Sequence, residues 1–144
     1  MASNINVPEK LKAEFDGLVH GHKYRAVIAK ITPDFTSVEV ESTLPALQDM
    51  VDPGPAYKEM VDMLPEHGCR YILYDFQWQS SATITHSKVI LILWSSETSK
   101  VREKMIYASS QECILNAVPD IQRQVQATDE DEISYPVVLK RITS

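Results

Sequence analysis

The chain has 144 residues, of which 44% are hydrophobic and 24% are charged, and its formal net charge is −6 at pH 7. This length suits one domain with a single core, and the composition is that of a soluble globular protein. The negative charge argues against general electrostatic attraction to nucleic acid. No apolar run approaches the ~20 residues of a membrane helix, and the N-terminus lacks the pattern of a secretory signal. We therefore predict one cytoplasmic domain over residues 1–144.

The first third of the chain predicts a helix followed by a β-hairpin. Asn6 suits the N-cap of this helix, with Glu9 as its reciprocal partner, and apolar residues then recur at helical spacing. Residues 1–5 precede the cap and are predicted to be a flexible segment. Alternating residues predict strands over Tyr24–Ile31 and Val38–Glu41, which are close enough in sequence to pair as a hairpin.

The middle of the chain predicts a loop, a helix and two buried strands. Thr43–Pro55 contains three prolines and reads as a loop, and apolar residues from Tyr57 to Leu64 then predict a second helix. Arg70–Trp78 and Lys88–Trp94 are rich in aromatic and branched residues and predict central strands.

The last third predicts a long helix within Trp94–Asn116, a short edge strand at Val125–Ala127 and a last helix that starts near Ser134 and ends near Ile142. The Ser and Thr residues at the start of the long segment favour a helix cap there. Helices that alternate with hairpins predict an α/β (α+β) fold, with a central mixed β-sheet flanked by helices on both faces.

The long helix carries apolar residues on two sides. At about 100° per residue they divide into Val101, Met105, Ala108 and Leu115 on one side and Ile106, Cys113 and Ala117 on the other. A helix that packs on a domain surface needs one apolar face, so the second face predicts contact with another protein. The alternative is a bent helix whose buried side drifts along its length.

Two cations flank the first of these sides. Arg102 and Lys104 lie beside Val101 and Met105. This combination suits an apolar cleft with an acidic rim on a partner, and the alternative is two ordinary solvated side chains.

Residues that could perform catalysis do not form a recognisable site. The glycine patterns of phosphate-binding loops are absent from the sequence. His20 and His22 lack obvious further ligands, so we predict no metal and no cofactor. Cys69 near His67, or Asp75 alone, could serve an enzyme, but no third group completes either arrangement. The residues therefore favour a binding protein over an enzyme.

Several stretches together resemble the actin-depolymerising factor/cofilin family over nearly the whole chain. The matching segments are Trp94 with Glu97 and Val101–Ser110, Leu64–Glu66, Cys69–Tyr71, Tyr74–Phe76, Gln126–Asp129 and Glu132–Ser134. The resemblance implies a single ADF-homology (cofilin-like) domain that acts as a monomer. It also implies that the protein binds actin monomers and filaments, and that it severs and depolymerises filaments by stabilising a twisted filament state.

The resemblance assigns residues to two actin-binding surfaces. The surface for monomers and filaments comprises Ser3, Asn4, Val7, Arg102, Lys104, Met105, Ile106 and Glu112. The surface used only on filaments comprises His86, Lys88, Lys140 and Arg141. Ser3 also matches the family's regulatory phosphorylation site, and the alternative is an ordinary tail residue.

Some positions depart from the family pattern. Ser96 replaces a usual proline, and Gln111, Leu115 and Asn116 stand where many members carry basic residues. The loss of these charges argues against phosphoinositide binding and predicts weaker filament affinity.

Two other functions remain open from the sequence. One is a protein similar to glia maturation factor, which acts on filament branch junctions. The other is a small cytosolic enzyme that uses Cys69 or Asp75.

Overall fold

The computed structural model describes residues 5–48 and 51–144. In chain order the elements are α1 (Glu9–Val19), β1 (Tyr24–Ile31), β2 (Val38–Pro45), α2 (Pro53–Val61), β3 (Cys69–Gln79), β4 (Thr85–Ser95), α3 (Val101–Ala117), β5 (Arg123–Ala127), α4 (Glu130–Ile133) and α5 (Tyr135–Thr143). The five strands form one sheet in the order β2-β1-β3-β4-β5. Strands β4 and β5 are parallel and the other neighbours are antiparallel, so the predicted mixed sheet is confirmed.

The core lies in two layers, one on each face of the sheet. Side chains of a strand alternate between faces, so Tyr71 and Leu73 of β3 pack with α1 and α3, whereas Ile72 and Tyr74 pack with α2 and α5. Both sets are buried, which is why the central strands are almost continuously apolar. Within the described ranges, no helix is both long and apolar enough to cross a lipid bilayer.

The entry into α1 differs from the predicted cap. Pro8 is the N-cap residue, and no side chain accepts a hydrogen bond there. Asn6 instead forms a parallel backbone bridge with Ser37, just before β2. Ile5, at the end of the predicted flexible segment, is buried with 7% exposure, and residues 1–4 lie outside the described residues.

The predicted loop between β2 and α2 is too long at both ends. Strand β2 continues through Pro45, and α2 begins at Pro53 rather than near Tyr57. Asp52 caps this helix by accepting a hydrogen bond from the backbone N–H of Gly54 at 3.0 Å. The predicted length of β2 was too short because β2 is an edge strand with register shifts. Its exposed and buried residues therefore do not alternate regularly.

The C-terminal region contains one helix more than predicted. Asp129 accepts a hydrogen bond from the N–H of Glu132 at 2.8 Å and so caps the short helix α4. The Ser134 hydroxyl donates back to the carbonyl of Asp131 at 2.8 Å, so its side chain does not cap α5. The acidic residues after Asp129 therefore belong to a helix rather than to a loop.

Candidate functional site

Helix α3 begins at Val101, later than the Ser and Thr residues before it suggested. Lys100 is the N-cap residue and makes no side-chain cap. Ser96 and Thr98 instead donate hydroxyl hydrogen bonds to the carbonyl of Glu66, at 2.5 and 3.2 Å. These bonds fasten the approach to α3 onto the loop before β3.

The inner side of α3 is fixed by buried contacts around Tyr107. Tyr107, Ser110 and Ile114 are buried and lie on one helical stripe. The backbone N–H of Ile31 donates to the Tyr107 hydroxyl at 2.8 Å, and the Tyr71 hydroxyl donates to the Tyr107 carbonyl. The fully buried residues of α3 therefore follow one stripe and do not drift around the helix.

The outer side of α3 is apolar and exposed to solvent. Val101 is 70% exposed and Met105 is 65% exposed, and Ala108 and Glu112 are exposed beside them. Met105 lies about 180° from Tyr107 and Ile114 taken together, at ~100° per residue. Leu115, predicted on this side, is partly buried and packs against the core layer of α1 and α3. The exposed apolar side chains on one side of α3 make it a candidate interaction surface.

The side chains of Arg102 and Lys104 contact loop residues of their own chain rather than acidic side chains. The Arg102 guanidinium carbon lies 5.2 Å from the centroid of the Phe35 ring. The Lys104 amino group donates to the carbonyl of Glu97 at 2.7 Å. Among residues 5–48 and 51–144, neither forms an ion pair with a carboxylate. Both charges are therefore available to a partner.

The turn between β1 and β2 brings the N-terminal segment next to α3. Asn6 exchanges backbone hydrogen bonds with Thr36 and Val38, at 2.9 and 3.0 Å, and the same turn carries Phe35, which contacts Arg102. Val7 is half-buried against the α1 and α3 layer. The predicted residues Ser3 and Asn4 lie outside the described residues. Ile106 is partly buried on the flank of α3, and it packs against the same layer.

A second group of cations lies around the C-terminal end of α5. The Lys88 amino group donates to the carbonyl of Ile142 at 2.9 Å, and the Arg141 guanidinium donates to the carbonyl of Gln126 at 2.8 Å. Lys140 is exposed on the same last turn. Positive charges at a helix C-terminus meet the negative end of its dipole.

His86 lies in β4, which begins three residues before the strand predicted from Lys88. It shares a face of this strand with Lys88, because residues two apart point the same way. Its ring stacks on that of Trp78 with centroids 5.3 Å apart, and its Nε2 lies 2.9 Å from the Ser80 hydroxyl. His86 therefore belongs to the α5 side of the sheet.

Arg123 joins the cations at the end of α5, and sequence reasoning missed it. Its guanidinium donates to the carbonyl of Ser144 at 3.3 Å. The position follows from the parallel pairing of β5 with β4, where Arg123 lies opposite Ile90. Because α3 separates β4 from β5 in the sequence, no local sequence pattern shows which residues of the two strands pair.

The candidate catalytic residues are not arranged for catalysis. Cys69 is buried and burial raises the pKa of its thiol, which disfavours the nucleophilic thiolate. The His67 ring bonds the Thr98 hydroxyl at 2.5 Å. Burial also raises the pKa of Asp75, although Gln77 opposes this shift. Cys69, His67 and Asp75 thus have separate structural surroundings.

His20, considered with His22 as a metal pair, lies between two carboxylates. Its Nδ1 lies 2.6 Å from Asp16 and its Nε2 lies 3.3 Å from Asp120. The hydrogen bond with Asp16 is the main cause of a raised pKa for this histidine. These contacts link the end of α1 to the segment after α3.

Comparisons with known proteins agree with this geometry. Residues 4–143 match the family described as cofilin/tropomyosin-type actin-binding protein. A cofilin from Ogataea parapolymorpha is 33% identical over 142 residues, which cover 98% of this chain and 94% of that protein. Actin-depolymerizing factor 8 from Arabidopsis thaliana is 32% identical over 141 residues, which cover 98% of this chain and 96% of that protein. The crystal structure of actin depolymerization factor 2 from Plasmodium berghei superposes with a TM-score of 0.88 at 23% identity, covering 100% of both chains.

Proposed function

We propose a function from one premise: the chain belongs to the cofilin/tropomyosin-type family of actin-binding proteins. The resemblance drawn from the sequence is confirmed, and the family is one of binding proteins rather than enzymes. The partner is actin, as monomers and as filaments. On filaments the protein severs and depolymerises, by favouring a twisted state of the filament. It acts as a monomeric protein of the cytoplasm and its cytoskeleton.

The observation that carries this proposal is the outer side of α3. Val101 and Met105 are exposed on a helix whose other side is locked into the core, and Arg102 lies between them in sequence. Burial of a Val or Met side chain stabilises a complex by about 1.5–3 kcal/mol each. A cleft in actin with acidic groups at its rim would cover these side chains and pair with Arg102 and Lys104. Exposed Glu112 lies farther along the same side and extends the surface.

The N-terminal segment completes the surface for monomers. Asn6 is hydrogen-bonded to the turn that contacts Arg102, and on this basis we assign Ser3 and Asn4, which precede Asn6 in the sequence, to the same surface. Phosphorylation of Ser3 would add about −1.5 to −2 charges beside a partner that offers acidic groups. Repulsion between these charges would release actin.

The filament-specific surface lies on the other side of the sheet. Lys88 contacts the end of α5, and α5 packs in the layer opposite to α1 and α3. We place His86, Lys140 and Arg141 in this surface with Lys88. Two surfaces on opposite faces of one small domain can contact two neighbouring actin subunits. The protein then favours whichever filament twist satisfies both contacts, in proportion to its differential affinity for that twist.

Actin co-sedimentation combined with a severing assay tests this function. The protein should pellet with filaments, bind monomers in a fluorescence titration and increase the number of filament ends. A protein that binds neither form of actin would refute the proposal. Because Gln111, Leu115 and Asn116 lack positive charge, we expect phosphoinositide vesicles to compete weakly with actin.

A further inference from the structure

The turn between β1 and β2 holds Phe35 in an unusual backbone conformation. Its φ is 60°, in the left-handed region that bulky residues rarely occupy. The Phe35 N–H donates to the carbonyl of Thr32, and the Thr32 N–H donates to the carbonyl of Ser37, both at 2.8 Å. Asp34 accepts hydroxyl hydrogen bonds from Thr32 and Thr36 at 2.6 and 2.8 Å. These bonds keep the turn rigid and compensate for the cost of the backbone conformation.

The conformation of Phe35 places its ring under Arg102. The guanidinium carbon is 5.2 Å from the ring centroid, within the ~6 Å of a cation–π contact. The ring itself is partly buried against the layer of α1 and α3, so it is a fixed platform rather than a mobile surface group. The carbonyl of the next residue, Thr36, accepts a hydrogen bond from the backbone N–H of Asn6. One turn therefore contacts both segments that we assign to the surface for monomers.

We propose that Phe35 is a positioning residue for actin binding. Its ring holds the Arg102 guanidinium in place before the partner arrives, and the turn of residues 32–37 forms a third part of the surface. A long side chain that is already ordered loses less conformational freedom on binding, which increases affinity. This inference rests on the proposed function, because it needs Arg102 to contact actin.

Phe35→Leu and Phe35→Tyr form the matched pair that tests the role of the ring. Leucine keeps an apolar side chain but removes the aromatic face, whereas tyrosine keeps the face. We expect Phe35→Leu to weaken binding to actin monomers about two- to tenfold, the cost of ordering one flexible side chain on binding, and Phe35→Tyr to bind like the wild type. The loss should disappear in an Arg102→Ala background, because the ring then has no cation to hold.

An NMR measurement on the protein without actin separates positioning from folding. In the wild type the ring current of Phe35 should shift the side-chain Nε–H resonance of Arg102, and Phe35→Leu should remove this shift while backbone resonances elsewhere stay in place. Phe35→Leu that binds like the wild type while Arg102→Ala weakens binding would overturn the inference. An equal loss from Phe35→Leu with and without Arg102 would also overturn it.

The same set of variants separates this inference from the proposed function. If wild-type protein binds no actin, the proposed function itself fails, whatever the NMR shift shows. If actin binds and only the Phe35 effect is missing, the proposed function stands and the positioning role is wrong.

Discussion

Replacing Arg102 and Lys104 together by alanine should abolish monomer binding while the domain stays folded. The structure indicates a small cost to stability, because both side chains contact only the surface of their own chain. The Arg102 contact with Phe35 is worth about 0.5–1 kcal/mol at an exposed site, and the Lys104 bond to the Glu97 carbonyl is exposed as well. A domain with a stability of ~5–15 kcal/mol tolerates this loss.

The expected cost to binding is much larger. Hydrogen bonds that involve a charged group contribute about 1.5–3 kcal/mol each when a partner desolvates them. Two such contacts amount to ~3 kcal/mol or more, and every ~1.4 kcal/mol corresponds to a tenfold change in Kd. The double variant should therefore bind actin monomers at least ~100-fold more weakly in a fluorescence titration.

A matched control is available on the same chain. The Lys23 amino group lies 5.2 Å from the centroid of the Tyr24 ring, and Lys58 forms an exposed ion pair with Asp62 at 2.8 Å, so this pair also combines one cation–π contact with one exposed polar contact. The double change Lys23→Ala and Lys58→Ala removes the same charge away from α3 and should leave the affinity within a few-fold of the wild type. Equal affinities of the two double variants would refute the assignment of Arg102 and Lys104 to the interface.

Three further predictions test other parts of the surface and the fold. Ser3→Glu should weaken binding to monomers and filaments, and unchanged co-sedimentation would count against a role for Ser3. Lys140→Ala with Arg141→Ala should reduce severing more than monomer binding, whereas equal losses in both assays would contradict two separate surfaces. His20→Asn should lower the Tm more at pH 6 than at pH 8. The bond to Asp16 raises the pKa of folded His20, so its contribution is complete below the ordinary value of about 6.5 and disappears as pH rises through the raised pKa. A pH-independent effect on the Tm would contradict this reasoning.

The strands could be located from the sequence by their alternating pattern or by their aromatic and branched residues. The range of β1, Tyr24–Ile31, was predicted with both ends correct, and Val125–Ala127 was recognised as part of an edge strand. The start of α3 was not located, because Ser96 and Thr98 bond to a loop 30 residues earlier rather than to the helix. A hydroxyl near a helix start gives the same sequence signal in both cases.

The sequence also did not indicate which side of α3 is buried. Its centre includes a buried serine, Ser110, between Tyr107 and Ile114, whereas Met105 and Val101 are apolar and exposed. In the first turns of α3, hydrophobicity would therefore predict that the exposed side is the buried one. The sequence did reveal that apolar residues occupy more than one side of the helix, and that feature led to the proposed interface. The contact between Phe35 and Arg102 joins residues far apart in the chain and could not be read from local patterns.

The central claim is that the outer side of α3 binds actin, and the methyl resonances of methionine test it most directly. The protein would be labelled at its methionine methyl groups. Met105, which is 65% exposed on α3, is the probe, and Met60, which has 0% exposure in the opposite core layer, is the control. Addition of actin monomers should shift or broaden the Met105 resonance beyond the general broadening seen at Met60. A Met105 resonance that changes no more than that of Met60, at saturating actin, would contradict the account.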